Sequence, residues 1–162
     1  MARRLFSVPI PLLLILFLAC WTVRISGQSA PSGDALPSGS LMEPAELAGL
    51  LSKSNRPRPT LIYVGYHPLF VGGHIQGAIF AGPDSKPEGI EQLKAVVRNV
   101  PRKHAVVVYC GCCPFDRCPN VRPAYRTLKE LGFEHVRVVH MPTNFHTDWV
   151  EKGYPTTKGA GY

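Results

Sequence analysis

Four of the chain's five cysteines fall within nine residues, in the run Cys110-Gly-Cys-Cys-Pro-Phe-Asp-Arg-Cys-Pro-Asn120. The thiolate is the reactive form of cysteine, and its pKa, about 8.5 when free, falls near a helix N-terminus or a cation. Cys110 follows the apolar run Ala105-Val-Val-Val-Tyr109 and precedes a helical pattern that starts at Val121. A sulfur nucleophile at Cys110 would face the positive end of that helix. Arg117 and Arg122 add charge there and are the candidate anion-binding residues. The same residues allow other roles. A cysteine that closes an apolar strand can be a small core residue. Cys112 or Cys113 is suitably spaced from Cys118 for a disulfide, whereas adjacent Cys112 and Cys113 are poorly placed to bond each other. The pattern C-x-C-C-x4-C also offers thiolates for zinc or copper(I), with Cys112, Cys113 and Cys118 as candidate ligands. Its spacing is not that of a standard zinc finger, so no metal is assigned.

The elements that must position this loop alternate between strand and helix. Glu43 to Lys53 places Leu47, Leu50 and Leu51 at helical spacing, with Pro44 tolerated in the first turn. Leu61-Ile-Tyr-Val64 suits a buried strand, and Ala78-Ile-Phe80 a second short one. Pro87 to Val100 reads as a helix with Ile90, Leu93, Val96 and Val97 on one face. Residues 105–109 form the clearest strand. Val121 to Leu131 is a helix ended by Gly132, a natural residue just past a helix. Val136-Arg-Val-Val139 is a further strand, and Phe145 to Lys152 a last short helix stopped by Gly153 and Pro155. This alternation predicts an α/β fold, a single domain with a small parallel sheet flanked by helices. Ligands of such sheets bind beyond the carboxyl ends of the strands, where the cysteine loop falls.

The N-terminus has the layout of an export signal. Arg3 and Arg4 precede an uncharged apolar run from Leu5 to Trp21, followed by small residues at 26–30. The expected reading is a signal peptide or membrane anchor over residues 1–30, with cleavage after Gly27 or Ala30. Phe17-Leu-Ala-Cys20 is an imperfect lipoprotein box, so attachment to a membrane through the N-terminus stays open. Residues 31–40, rich in Pro, Gly and Ser, are expected to be a flexible linker, residues 41–155 the folded domain, and residues 156–162 a tail. The expected location is exported, either periplasmic or secreted. Net charge is +7; without the three arginines of residues 1–30 the balance is 15 bases against 11 acids. Those bases are scattered, with no run interleaved with aromatics, which argues against a nucleic-acid partner.

In order and spacing these segments resemble the rhodanese-like, or sulfurtransferase-like, family, in a bacterial-type exported form. Leu61-Ile-Tyr-Val-Gly65 followed by Gly73-His-Ile-Gln-Gly-Ala78 is similar to the family's first signature. Val107-Val-Tyr-Cys110 is similar to its catalytic strand and cysteine. Ala124, Leu128, Leu131 and Gly132 match the helix after the active loop, and Val136 to Val139, Trp149 and Gly153-Tyr-Pro155 match the closing segment. The resemblance implies that Cys110 carries sulfane sulfur as a persulfide, from a small donor such as thiosulfate to a thiophilic acceptor, without a cofactor. It implies that loop amides cradle the anion and that His74 supports the fold.

The chain also departs from the family pattern. Tyr63, Gly65 and Leu69 stand where the family has Asp, Arg and Glu, and Met141 to Phe145 replaces its Gly-Gly. The loop is longer than usual, and counting back from the helix brings Cys112 or Cys113 to the nucleophile position. Cys112 and Arg117 form a C-x4-R spacing seen in sulfurtransferases. Two other functions stay open: a thiol redox or metal-binding module built on the Cys110–Cys118 cluster, and an inactive fold used for binding.

Overall fold

The computed structural model describes residues 35–53, 55 and 57–160. The expected export segment over residues 1–30 lies outside them, as do residues 31–34 of the expected linker and the last two of the tail. Four helices and seven strands alternate along the described residues. They are β1 (Leu41–Met42), α1 (Pro44–Leu51), β2 (Thr60–Tyr63), α2 (His67–Gly72), β3 (His74–Ile75), β4 (Ile79–Phe80), α3 (Pro87–Val96), β5 (Val106–Tyr109), α4 (Val121–Glu130), β6 (Val136–Val139) and β7 (Thr156–Thr157). Short 3-10 turns cover Ser38–Ser40 and Phe115–Arg117, and a π-helical turn covers His146–Val150.

Five strands form one sheet in the order β1-β6-β5-β2-β4, and every pair is parallel. β5 is central, with Val106–Tyr109 buried throughout. A strand buried on both faces is expected to be apolar at every position, and this one is. Successive side chains point to opposite faces. Val106 and Val108 therefore pack with Leu93 of α3 and Leu128 of α4, while Val107 and Tyr109 pack with Leu47 of α1 and Trp149. The alternation continues past the strand: Cys110 falls on the α3–α4 side and is only 2% exposed. Phe115, Cys118 and Val121 belong to the same apolar layer.

The parallel α/β architecture expected from the sequence is present. α4 closes where expected, with Gly132 at a φ of 85° that glycine adopts without strain. α3 ends at Val96, four residues short of the expected Val100, and a turn completes the segment. Three features were not anticipated. β1 extends the sheet beyond β6, α2 fills the stretch before Gly73, and β3 pairs antiparallel with β7. Two-residue strands carry no readable period. β7 also brings Thr156 and Thr157, expected in the tail, into the fold. Residues 38–40, expected in the linker, form a turn in which the Ser40 hydroxyl donates to the Pro37 carbonyl.

Candidate active site

The loop between β5 and α4 leaves the carboxyl edge of the sheet and folds back beneath α4. Gly111 has a φ of 75°, and a Cβ built there would lie 2.6 Å from Cβ of Phe145. Only glycine suits both the left-handed backbone and the contact. The segment Met141–Phe145 clamps the loop. The Phe115 N–H donates to the Met141 carbonyl at 2.9 Å, and the Phe145 N–H to the Gly111 carbonyl at 3.0 Å. Arg122 braces the loop from the helix side, donating to the carbonyls of Phe115 (3.1 Å) and Cys118 (3.3 Å) with its guanidinium over the Phe115 ring.

This folding gathers the thiols. Cys110 Sγ lies 3.2 Å from Cys112 Sγ, and Cys112 Sγ 3.1 Å from Cys113 Sγ. The sulfurs of Cys110, Cys112 and Cys118 lie within 4.8 Å of one another. All four loop cysteines are free thiols, so neither disulfide considered for Cys112 or Cys113 with Cys118 is formed in this structure. Asn120 Nδ2 donates to Cys110 Sγ at 3.4 Å and reaches Cys112 Sγ at 4.0 Å. Its Oδ1 accepts from the Ser85 N–H at 3.0 Å, which ties the cluster to the loop after β4. Asn120 occupies the N-cap position of α4 yet makes no capping bond; its side chain serves the sulfurs instead.

The thiols share their protons unequally. At Cys118, hydrogen bonds from Cys110 and Cys112 hold the thiol pKa well below its ordinary value, helped by the N–H groups of Asn120 and Val121 at the start of α4. At Cys110 the hydrogen bond with Cys112 lowers the pKa, but the bond to Cys118 and burial outweigh it and push it up. Cys112 is raised by its bonds to Cys110 and Cys118 and by burial, and Cys113 is raised chiefly by burial. The negative charge of the cluster therefore resides on Cys118, a residue considered from sequence only for a disulfide or a metal.

A cavity of about 540 Å³ opens beside the cluster, lined among others by Tyr63, Gly111, Cys112, Phe145, His146 and Lys158. Cys112 is the loop thiol that faces it; Cys110 and Cys118 lie behind, 2% and 4% exposed. Neither Arg117 nor Arg122, the residues expected to bind an anion, lines it. Arg117 is exposed and its charge acts on Cys113, and Arg122 holds loop carbonyls. The cavity's basic groups are Lys158 and His146 instead. Tyr63 stays a phenol, since burial raises its pKa. Gly65 leaves room for both groups: a Cβ there would lie 2.6 Å from the Tyr63 hydroxyl and 2.8 Å from Cys110 Sγ. His74 is buried, bonded through Nδ1 to the Phe70 carbonyl at 2.8 Å and stacked on the Phe70 ring, as a structural histidine should be.

Asn120, Tyr63 and Lys158 were not singled out as site residues from sequence. Asn120 had a weak signal, because an Asn directly before a helix reads first as a cap. Lys158 had none, since β7 is what brings it in.

No family model matches the chain, and no curated protein matches it. Solved structures do. The rhodanese-like domain of the Alr3790 protein from Anabaena sp. is 22% identical, with a TM-score of 0.55, 74% of this chain and 79% of that one being covered. A thiosulfate sulfurtransferase from Pseudomonas aeruginosa is 21% identical with a TM-score of 0.56; the match covers 75% of this chain and 20% of that longer one. The protein hp1203 from Helicobacter pylori 26695 is 12% identical with a TM-score of 0.53, over 76% and 94% of the two chains. The parallel sheet, its order of elements and these likenesses together identify the described residues as a domain of the rhodanese-like fold.

Proposed function

We propose that this domain transfers sulfane sulfur through a cysteine persulfide on the loop that begins at Cys110. Thiosulfate is the donor considered, and one of the fold's neighbours is a thiosulfate sulfurtransferase. The observation that carries the reading is a line of sulfurs. Cys112 faces a cavity with Lys158 and His146 in its wall, and Cys110 lies 3.2 Å behind Cys112 at the end of the central strand.

Cys112 gives its proton to solvent at the cavity, and its Sγ attacks the outer sulfur of thiosulfate. The S–S bond of the donor breaks, sulfite leaves with its electron pair, and Cys112 holds the persulfide. Cys110 Sγ attacks the terminal sulfur as its proton passes to the departing Cys112 sulfur, which leaves as a thiol. The sulfur then rests on Cys110, near the Asn120 amide and away from solvent. A thiophilic acceptor takes it by the reverse path. Lys158 attracts the dianion to the cavity.

The test is mass spectrometry of the reduced, metal-free full chain after thiosulfate. The expected result is a gain of one sulfur, found on Cys110 by fragmentation. Cys110→Ala should leave the sulfur on Cys112, and Cys112→Ala should slow loading by about 100-fold or more. No gain in the unaltered chain, or a gain that survives in the Cys110→Ala, Cys112→Ala double variant, would contradict the proposal.

A further inference from the structure

The sulfur-transfer reading uses the thiols in pairs, but the structure groups three of them around one point. The sulfurs of Cys110, Cys112 and Cys118 lie within 4.8 Å of each other, and among the described residues no carboxylate or imidazole joins the group. Cys113 Sγ approaches Cys112 but stands outside the set of three. We propose that Cys110, Cys112 and Cys118 form a binding site for a single copper(I) ion.

The ligand type argues for a soft ion, because thiolates select copper(I) and zinc over harder cations. The ligand count argues between those two. Structural zinc takes four protein ligands in a tetrahedron, and the group supplies three. Copper(I) has a closed d shell and accepts three sulfurs without a fourth partner. The surroundings are those of a held site. Cys110 and Cys118 are almost fully buried, and Arg122 pins the Cys118 carbonyl. The buried Asn120 amide points a donor at two of the three sulfurs, the kind of outer contact that orients metal ligands. Cys112 gives the ion a path in from the cavity.

Binding changes no oxidation state. The ion arrives as copper(I) and remains so, three Cu–S bonds form, and the thiol protons of the ligands pass to solvent. The charge left on the complex lies at the N-terminal end of α4, where it is favoured.

The full chain, reduced and under nitrogen, would be titrated with copper(I) held by the chelator bathocuproine disulfonate. No sulfur donor is present, so the outcome is independent of sulfur transfer. One equivalent should be withdrawn from the chelator. X-ray absorption of the loaded, unaltered chain should show three sulfur neighbours and no nitrogen or oxygen. Cys112→Ser and Cys118→Ser should each weaken binding by about 100-fold or more, while Cys113→Ser and Cys20→Ser leave it unchanged. Failure to withdraw copper, two sulfur neighbours instead of three, an added nitrogen or oxygen, or equal losses for Cys113→Ser and Cys118→Ser would overturn the site. Preferential uptake of zinc with four sulfurs would do the same. The absorption measurement needs no variant, so a substitution that fails to fold does not blunt the test.

Discussion

At the scale of single residues, the proposed transfer divides labour among thiols. Cys112 has access, Cys110 has shelter, and Cys118 carries the charge. A lone cysteine would gain thiolate as pH rises through its ordinary value, and its rate would climb with it. Here Cys112, the thiol that meets the donor, has its pKa pushed above the ordinary value by its bonds to Cys110 and Cys118 and by burial. Loading from thiosulfate should therefore rise about tenfold for each pH unit from about pH 6 to 9, without levelling off at the ordinary thiol value. Stopped-flow or quenched mass measurements across that range check this; a rate that levels off at or below about pH 8.5 would show that a thiol of ordinary or lowered pKa is the nucleophile instead. The position of Cys110 was legible in the sequence, because an apolar strand ends there and a helix follows. The charge on Cys118 was not. It depends on sulfur contacts that only the folded loop creates.

At the scale of elements, the loop is shaped from both sides. Gly111 turns it beneath Phe145, and the 141–145 segment that replaces the family's Gly-Gly holds it by two backbone hydrogen bonds. Gly111→Ala would place a Cβ in the left-handed region and against Phe145. It should destabilise the domain by about 1–3 kcal/mol, measured by urea unfolding. An effect near zero would mean that the loop relaxes freely. The long strands and helices were readable from apolar patterns: β5, β6 and α4 stand within a residue or so of their expected bounds. The short pieces were not. β3 and β7 are two residues each, and their pairing is a contact between distant segments rather than a local pattern. Yet that pairing is what brings Lys158 to the cavity.

At the scale of the whole molecule, one buried carboxyl couples the domain's stability to pH. Asp84 is 1% exposed, and neither of its oxygens has a hydrogen-bond partner. Burial raises its pKa from 3.8 to about 8. In the unfolded chain it ionises near 3.8, so between those values the folded state holds a proton that the unfolded state has lost. Its contribution to stability is present below about pH 4 and is lost as pH rises through about 8. Asp84→Asn should remove that slope and be the more stable form at pH 9, by about 1–3 kcal/mol in urea unfolding. Parallel curves for the two proteins from pH 4 to 9 would contradict this. The fold itself was legible because many weak signals agreed along the chain. The function rests on fewer residues, and there the sulfur line from the cavity to Cys110 is the central claim. Its most direct measurement is the mass of the reduced full chain after exposure to thiosulfate. A gain of one sulfur, absent from the Cys110→Ala, Cys112→Ala double variant, is the expected result; an unchanged mass, or a gain that the double variant keeps, would contradict it.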